Sequence, residues 1–317
     1  MASARVTAVA SFPPNHFLEN IVVRYDGSIL VTVLSQKHLY YLPSPDFGSV
    51  TPLLLYQFDA CPMGIVELEH DVFYIGTTTR FGDVPNTLWR LDMRIFTTTF
   101  VPEPTVVLTF PPQSKVLNGA CVLSSSVMLF ADSWADLIWR VDIPKDGSPP
   151  SARVWLKHTM LAHSSDPAKH DVPGVNGLKF NNKDKHVYFT TTAQAIFGRI
   201  HVDRETLEPV GDPVDVAERW MWGDDLILDE EAGIAYVTTH RQNTIESVHL
   251  GTGATANVAG DPLNLDLIGP TAGSWGRGRG QAGRVAYFTT DGGIKNPLDG
   301  VVREAMVLRV EFPSTGK

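Results

Sequence analysis

Residues 118–142 read NGACVLSSSVMLFADSWADLIWRVD. A polar pair opens a short apolar run, a serine turn follows, and a second apolar run ends on Asp132-Ser133. A polar loop then leads into a third run, LIWRVD. Short apolar runs bounded by turn residues are strand signals, and helical periodicity is scarce in this chain. The unit recurs. Glu19-Asn-Ile-Val-Val leads to SILVTVL and HLYYL; Met63-Gly-Ile-Val-Glu leads to DVFYIGTTT and TLWRLD. Asn176-Gly-Leu-Lys-Phe leads to KHVYFTTT and FGRIHVD; Asp224-Asp-Leu-Ile-Leu leads to GIAYVTTH and TIESVHL. A looser copy runs from Thr271 through RVAYFTTD to AMVLRVEF.

The six first strands begin at 19, 63, 118, 176, 224 and 271, spacings of 44, 55, 58, 48 and 47 residues. A period of about 40–50 residues is that of a four-stranded propeller blade. Fourth strands are expected at TPLLLY, TVVLTF, ARVWL, DPVDV and ATANV. The last copy runs out of chain after its third strand, and ARVTAVASF near the N-terminus alternates as a strand does. The expected fold is therefore all-β: one domain over 1–317, six four-stranded blades, the N-terminal strand closing the last blade and removing an exposed sheet edge. A pair of β-sandwiches divided near KDGSPPS is the rival, but the repeat crosses that stretch without changing register.

Composition limits the partners. The chain has 317 residues, 43 % hydrophobic and 19 % charged, too apolar for disorder. A formal charge of −9 argues against nucleic acid or an anionic membrane surface, where basic residues supply most of the affinity. No apolar run approaches the ~20 residues a membrane-spanning helix needs, and the opening is a poor match to a secretory signal. Cys61 and Cys121 are too few for a disulfide framework, so a reducing, cytoplasmic setting is expected. The expected partners are small apolar or aromatic molecules.

In a propeller the first strand of each blade lines the central channel and its leading residue sits at one mouth. Those residues are Glu19, Met63, Asn118, Asn176, Asp224 and Thr271. Asn and Asp also cap strand ends and satisfy backbone groups, so no single one marks a site. Four carboxylates and amides converging on one axis do, whether as ligands of a hard cation or as acids, bases and donors around an organic ligand. Loops at the same mouth should add Arg80, Phe81, Ser133, Trp134, Gln194, His240, Arg241 and Asp291, with His163, His170 and Asp171 before the fourth blade. Trp220, Met221 and Trp222 precede the fifth. If the fifth strand has begun by Trp222, that indole shares a face with Asp224 and should raise its pKa. Blade packing is the expected place of Trp220, and Trp89 and Trp139 should be core. Cys121 is expected in a buried strand, Cys61 in a loop. The Gly-Arg stretch 276–283 reads as a hairpin loop. No zinc-protease motif, nucleophile elbow or phosphate loop occurs.

The strand-start pattern Glu19, Asn118-Gly, Asn176-Gly-Leu and Asp224, together with LIWRVD, resembles the gluconolactonase and regucalcin type of six-bladed propeller over the whole chain. The resemblance implies Glu19, Asn176 and Asp224 as ligands of a divalent cation of the Ca, Mg or Zn kind, with Asn118 beside them. The family's Glu-Gly-Pro is here Glu19-Asn20-Ile21, its Asn-Asp is Asn118-Gly119, and its Asp-Gly is Asp224-Asp225. The opening HFLENIVVRYDGSILVT looks more like a fungal, secondary-metabolite branch of these propellers, which includes hetero-Diels–Alderases joining a tropolone to a humulene-type terpene. That resemblance implies a cofactor-free pocket in which Glu19, Asp224 and His240 move protons to form an o-quinone methide. Asn118 and Asn176 would orient the tropolone, within walls of Met63, Arg80, Phe81, Trp134, Gln194 and Trp222. A metal-dependent lactonase is the alternative, and a non-catalytic binding propeller is a third reading.

Overall fold

The computed structural model describes residues 4–79, 84–97, 99–166, 168, 171–263 and 265–313. The chain opens with β1 (Arg5–Phe12) and then lays down six antiparallel sheets of four strands each. Blade 1 holds β2 (Leu18–Val23), β3 (Ile29–Val33), β4 (His38–Leu42) and β5 (Leu53–Gln57). Blade 2 holds β6 (Cys61–Glu69), β7 (Val72–Thr78), β8 (Thr87–Asp92) and β9 (Thr105–Thr109). Blade 3 holds β10 (Leu117–Ser124), β11 (Val127–Asp132), β12 (Leu137–Asp142) and β13 (Ser151–Lys157). Blade 4 holds β14 (Val175–Asn181), β15 (His186–Thr191), β16 (Ile196–Val202) and β17 (Pro209–Asp215). Blade 5 holds β18 (Leu226–Asp229), β19 (Ile234–Thr239), β20 (Thr244–His249) and β21 (Thr255–Gly260). Blade 6 holds β22 (Pro270–Trp275), β23 (Val285–Thr290) and β24 (Ala305–Glu311), and β1 pairs antiparallel with β24 as its fourth strand.

This is the expected six-bladed propeller with its N-terminal closure. KDGSPPS only joins β12 to β13 inside blade 3, which removes the sandwich division. Among the described residues no helix is long and apolar enough to cross a membrane.

The core lies between blades. Six buried apolar clusters each join neighbouring sheets: Val31 with Tyr287, Leu30 with Ile75, Tyr74 with Phe130, Leu129 with Phe189, Tyr188 with Val237 and Ile227 with Phe288. The second strands β3, β7, β11 and β23 are buried at every position, being covered on both faces. That explains their largely apolar sequence, broken by threonine or aspartate toward the C-terminal end.

The inner strands crowd around one axis, and the sheets yield there. In five blades the pairing of first and second strands shifts register at the leading residue: after Leu18, Pro62, Leu117, Val175 and Pro270. In blade 5, β18 starts only at Leu226, and Asp224 and Asp225 both bond to Thr238 instead. A bulge leaves backbone groups without ladder partners. Threonine hydroxyls replace them. Thr32 Oγ1 accepts from Asn20 N (3.0 Å) and donates to Met63 O of blade 2 (2.9 Å). Thr238 Oγ1 accepts from Asp225 N (3.0 Å) and donates to Thr271 O of blade 6 (2.6 Å). Thr190 makes the same link from Gly177 to Asp224, and Thr271 Oγ1 donates to Leu18 O, joining blade 6 to blade 1. Gly119 has a related cause: a Cβ there would stand 2.6 Å from the carbonyl of Asn176.

Replacing Thr238 with the near-isosteric Val strips a partner from two buried backbone groups. Chemical denaturation should show a loss of about 1–3 kcal/mol. A loss no larger than that of a surface threonine would mean the staple is dispensable.

Candidate functional site

Because the leading residues leave the ladder, their side chains turn into the channel rather than alternate across a sheet. Glu19, Met63, Asn118, Asn176 and Asp224 line one cavity of about 800 Å³ counting its open mouth, together with Trp134, His240, Arg241 and Asp171. Phe17, Leu34, Val116 and Pro173 complete an apolar wall, and Thr78, Thr192, Cys61 and Lys295 also face in.

The polar side is tightly organised. Asn176 Nδ2 donates to Thr192 Oγ1 (3.1 Å) and to Asp224 Oδ1, and Thr192 is fixed by the carbonyl of Gly223 (2.7 Å). Asn118 Nδ2 donates to Ser133 Oγ (3.0 Å), which donates on to Val175 O (2.7 Å). His240 bonds Asp291 Oδ2 through Nε2 (2.9 Å), stands 3.7 Å from Asp224 Oδ2 through Nδ1, and rests edge-on against Phe17. Asp291 is fully buried and also accepts from Gly293 N (2.7 Å). No described residue hydrogen-bonds the carboxyl of Glu19, which is 8 % exposed.

Burial, and then the charge of Asp224, push the Glu19 pKa up to about 8. Burial raises Asp224 less, to about 6, because His240 opposes it and Asn176 hydrogen-bonds its carboxylate. Burial works against the charged form of His240, but Asp291, Asp224 and Glu19 outweigh it and its pKa is raised. The site thus sets a carboxyl with a pKa of about 8 beside one near 6, next to an imidazole whose affinity for a proton is raised. Such splitting of neighbouring groups sets up acid and base roles.

Other expectations are corrected. Gln194 is not in the cavity; its amide donates to Thr159 O and Ala162 O (both 2.8 Å) and pins a neighbouring loop. Trp222 is 40 % exposed and lies outside the lining, because the strand begins at Leu226 and two-residue alternation does not reach back to it. The raised pKa of Asp224 therefore comes from burial and not from that indole. Trp220 is exposed rather than packed between blades, and His163 is engaged with Asp136 away from the cavity. Thr271 serves the ring closure and not the lining. Arg80, Phe81 and His170 lie outside the described residues. Cys61 opens β6 and lines the cavity instead of standing in a loop, whereas Cys121 is buried in β10; both are free thiols. Trp139 is core, Trp89 packs partly buried against Phe58 between blades 1 and 2, and 276–283 joins β22 to β23 as a hairpin loop. Phe17, Leu34 and Val116 carried no polar signal in sequence and were not singled out; they precede or follow strands by one or two residues.

No family model matches the sequence, and no curated protein does. Solved structures do match. The chain overlays a luciferin-regenerating enzyme with a TM-score of 0.70 at 14 % identity, over 98 % of this chain and 96 % of that one. A gluconolactonase of Xanthomonas campestris gives 0.66 at 11 % identity, over 98 % and 90 %. The calcium-binding protein regucalcin of Agrobacterium tumefaciens gives 0.60 at 12 %, over 97 % of both. The likeness is one of fold.

A carboxyl whose folded pKa is raised favours the folded state below its unfolded pKa and loses that advantage as pH rises through the folded value. For Glu19 that loss spans about pH 4.5 to 8. Glu19→Gln should therefore melt above the parent near pH 8, with the gap closing toward pH 5, when thermal unfolding is followed in chelator-treated buffer. Each kcal/mol corresponds to about 2–4 °C in a chain of this size class. An equal or lower melting temperature at pH 8 would refute the buried, destabilising carboxylate.

Proposed function

We propose that this chain is an enzyme that opens a lactone or similar ester bond in a small, largely apolar molecule. The observation that carries the reading is the convergence of Glu19, Asn118, Asn176 and Asp224 on one cavity beside His240. The fold shared with a gluconolactonase supports it.

In this reading Asp224, kept ionised by Asn176 and His240, takes a proton from a water that attacks the acyl carbon. Glu19, kept protonated by burial, gives its proton to the departing alkoxide as the acyl C–O bond breaks. The product is a hydroxy acid, and the two carboxyls return to their starting states by proton exchange with solvent. Asn118, held by Ser133, orients the carbonyl. General acid and base roles of this kind contribute about 10²–10⁴-fold each.

A divalent cation suits the same residues, with Glu19 then ionised as a ligand and no longer the proton donor. Glu19 has an unshared carboxyl, and both N–H groups of Asn176 are engaged, which leaves its carbonyl oxygen for a ligand. With Asp224 these are hard oxygen donors, fitting Ca²⁺ or Mg²⁺. Zinc fits poorly: among the described residues no three His, Cys, Asp or Glu side chains are placed to hold a metal, and His240 Nε2 is committed to Asp291. When bound, the ion would polarise the acyl oxygen as a Lewis acid.

The apolar wall of Phe17, Leu34, Met63, Val116, Trp134 and Pro173 favours one second reading. In it Glu19 protonates the hydroxyl lost from a hydroxymethyl tropolone, Asp224 accepts the ring hydroxyl proton, and the wall holds the o-quinone methide against a humulene-type alkene. Positioning of that kind is worth effective molarities of about 10⁵ M or more.

Proton release from a panel of γ- and δ-lactones and aryl esters, with and without added Ca²⁺ or Mg²⁺, decides between them. Glu19→Gln and Asp224→Asn should each slow hydrolysis by about 10²–10⁴-fold. No hydrolysis under any condition, together with Glu19-dependent consumption of a hydroxymethyl tropolone and a humulene alcohol, would replace the first reading by the second.

A further inference from the structure

The end of blade 4 remote from the cavity carries two histidines that the channel chemistry does not use. β15 runs from His186 up to Thr191, next to the Thr192 that lines the cavity, and His201 lies one residue from the end of β16. His186 and His201 stand directly opposite in the antiparallel pairing. Val202 N donates to Lys185 O (2.8 Å), so the adjoining pair, Lys185 with Val202, is a hydrogen-bonded one. The two kinds of pair alternate along antiparallel strands. His186 and His201 therefore form a non-hydrogen-bonded pair, whose side chains share a face and approach most closely. Their ring centres are 5.0 Å apart and their planes are inclined at 59°.

The first imidazole sits on a built frame. His186 Nδ1 bonds the carbonyl oxygen of Asp184 (2.8 Å), and because a carbonyl only accepts, Nδ1 carries the proton. Nε2 is left with the lone pair, the state that such a carbonyl imposes on metal-binding imidazoles. Asp184 is itself fixed: Oδ1 accepts from His186 N (3.1 Å) and Oδ2 from the hydroxyl of the buried Tyr188 (2.7 Å). His186 is half-buried and His201 exposed. Among the described residues, no group hydrogen-bonds His186 Nε2 or the ring of His201. Hydrogen bonds from Thr206 and Glu205 hold the Asp203 pKa below the ordinary value and His201 adds to the effect, so a carboxylate lies within electrostatic reach of the pair.

We propose that His186 and His201 together bind a divalent transition-metal ion of the Cu²⁺, Ni²⁺ or Zn²⁺ kind, at a site separate from the channel. Two imidazoles sharing an ion at about 2.0–2.1 Å from each nitrogen have ring centres about 4.5–5.2 Å apart, for bond angles between about 90° and 109°. The observed 5.0 Å falls inside that range. Both oxygens of Asp184 are committed, so the protein supplies two donors and water completes the shell; no group of three His, Cys, Asp or Glu is placed for an ion among the described residues. Imidazole suits these borderline ions, whereas carboxylate and amide oxygens suit Ca²⁺ and Mg²⁺. The chain thus sorts cations, hard ones to Glu19, Asn176 and Asp224 and borderline ones to the histidines of blade 4. This second site stands whether or not the cavity opens lactones.

Untagged, full-length protein, treated with chelator and then freed of it, is titrated calorimetrically with NiCl₂ and, for electron paramagnetic resonance, loaded with less than one equivalent of CuCl₂. One Ni²⁺ per chain is expected at this site. His186→Asn and His201→Asn should each weaken its binding at least about tenfold, since a second donor on the same scaffold multiplies the affinity of the first. Glu19→Gln should leave Ni²⁺ binding unchanged. The resonance of bound Cu²⁺ should show coupling to two imidazole nitrogens in the parent and to one in either histidine variant. The parent spectrum decides the matter even if a variant fails to fold. No binding of Ni²⁺ or Cu²⁺, no nitrogen coupling in the parent, Ni²⁺ affinity unchanged in either histidine variant, or loss of Ni²⁺ binding in Glu19→Gln would each overturn the site.

Discussion

The approach of six inner strands to one axis is the constraint on which the rest of the molecule depends. Strands that converge cannot all keep their ladders to the end, so each first strand leaves its neighbour at its leading residue. A buried, unpaired backbone group costs about as much as a lost hydrogen bond. The threonines at 32, 190 and 238 meet that cost with one hydroxyl each, accepting from their own bulge and donating to the next blade. The same device therefore closes the ring and aims a side chain into the channel. Site and fold are not separable here: the residues that could do chemistry are those that the closure pushes out of the sheets.

Charge follows from that geometry. Glu19 from blade 1 and Asp224 from blade 5 meet in one cavity, where burial raises the pKa of both and the charge of Asp224 raises that of Glu19 further. His240 is the counterweight: it opposes the rise in the Asp224 pKa, whereas Asp291 holds the imidazole in place and its own charge adds to that rise. A further lysine helps from the far side. Lys179 Nζ bonds both oxygens of Asp225 (2.9 and 3.0 Å), so the carboxylate next in the chain to Asp224 is balanced outside the cavity. Without that pair a third buried acid would stand beside the first two.

The ring was legible in sequence because its period and its apolar second strands come from the same packing that the structure displays. Leading residues were legible too, since Glu19, Met63, Asn118, Asn176 and Asp224 were found by aligning repeats, and the bulges put them at one mouth. Loop residues were harder. Gln194 follows β15 just as His240 follows β19, yet the first is drawn outward by two backbone carbonyls and the second inward by Asp291. Sequence position decides which loop a residue occupies; the partners that fix its direction come from other blades, about thirty to fifty residues away. Trp222 failed for a related reason: alternation was carried past the point where the strand begins.

The blades are not equivalent, and their differences give the cavity a direction. At the position of the stapling threonine, blades 2 and 3 have Gly76 and Ala131. These two blades contribute Met63, Val116 and Trp134 to the wall, so that side is mainly apolar. Asn176, Asp224 and Glu19 come from blades 4, 5 and 1, and the cations Arg241 and Lys295 from the loops of blades 5 and 6. The cavity is thus asymmetric, with Met63, Val116 and Trp134 on the side of blades 2 and 3 and Glu19, Asn176 and Asp224 on the side of blades 1, 4 and 5. A fold with near six-fold repetition acquires an oriented site only by breaking that repetition. In this chain the break lies in which blades keep a polar leading residue and which loops carry a charge.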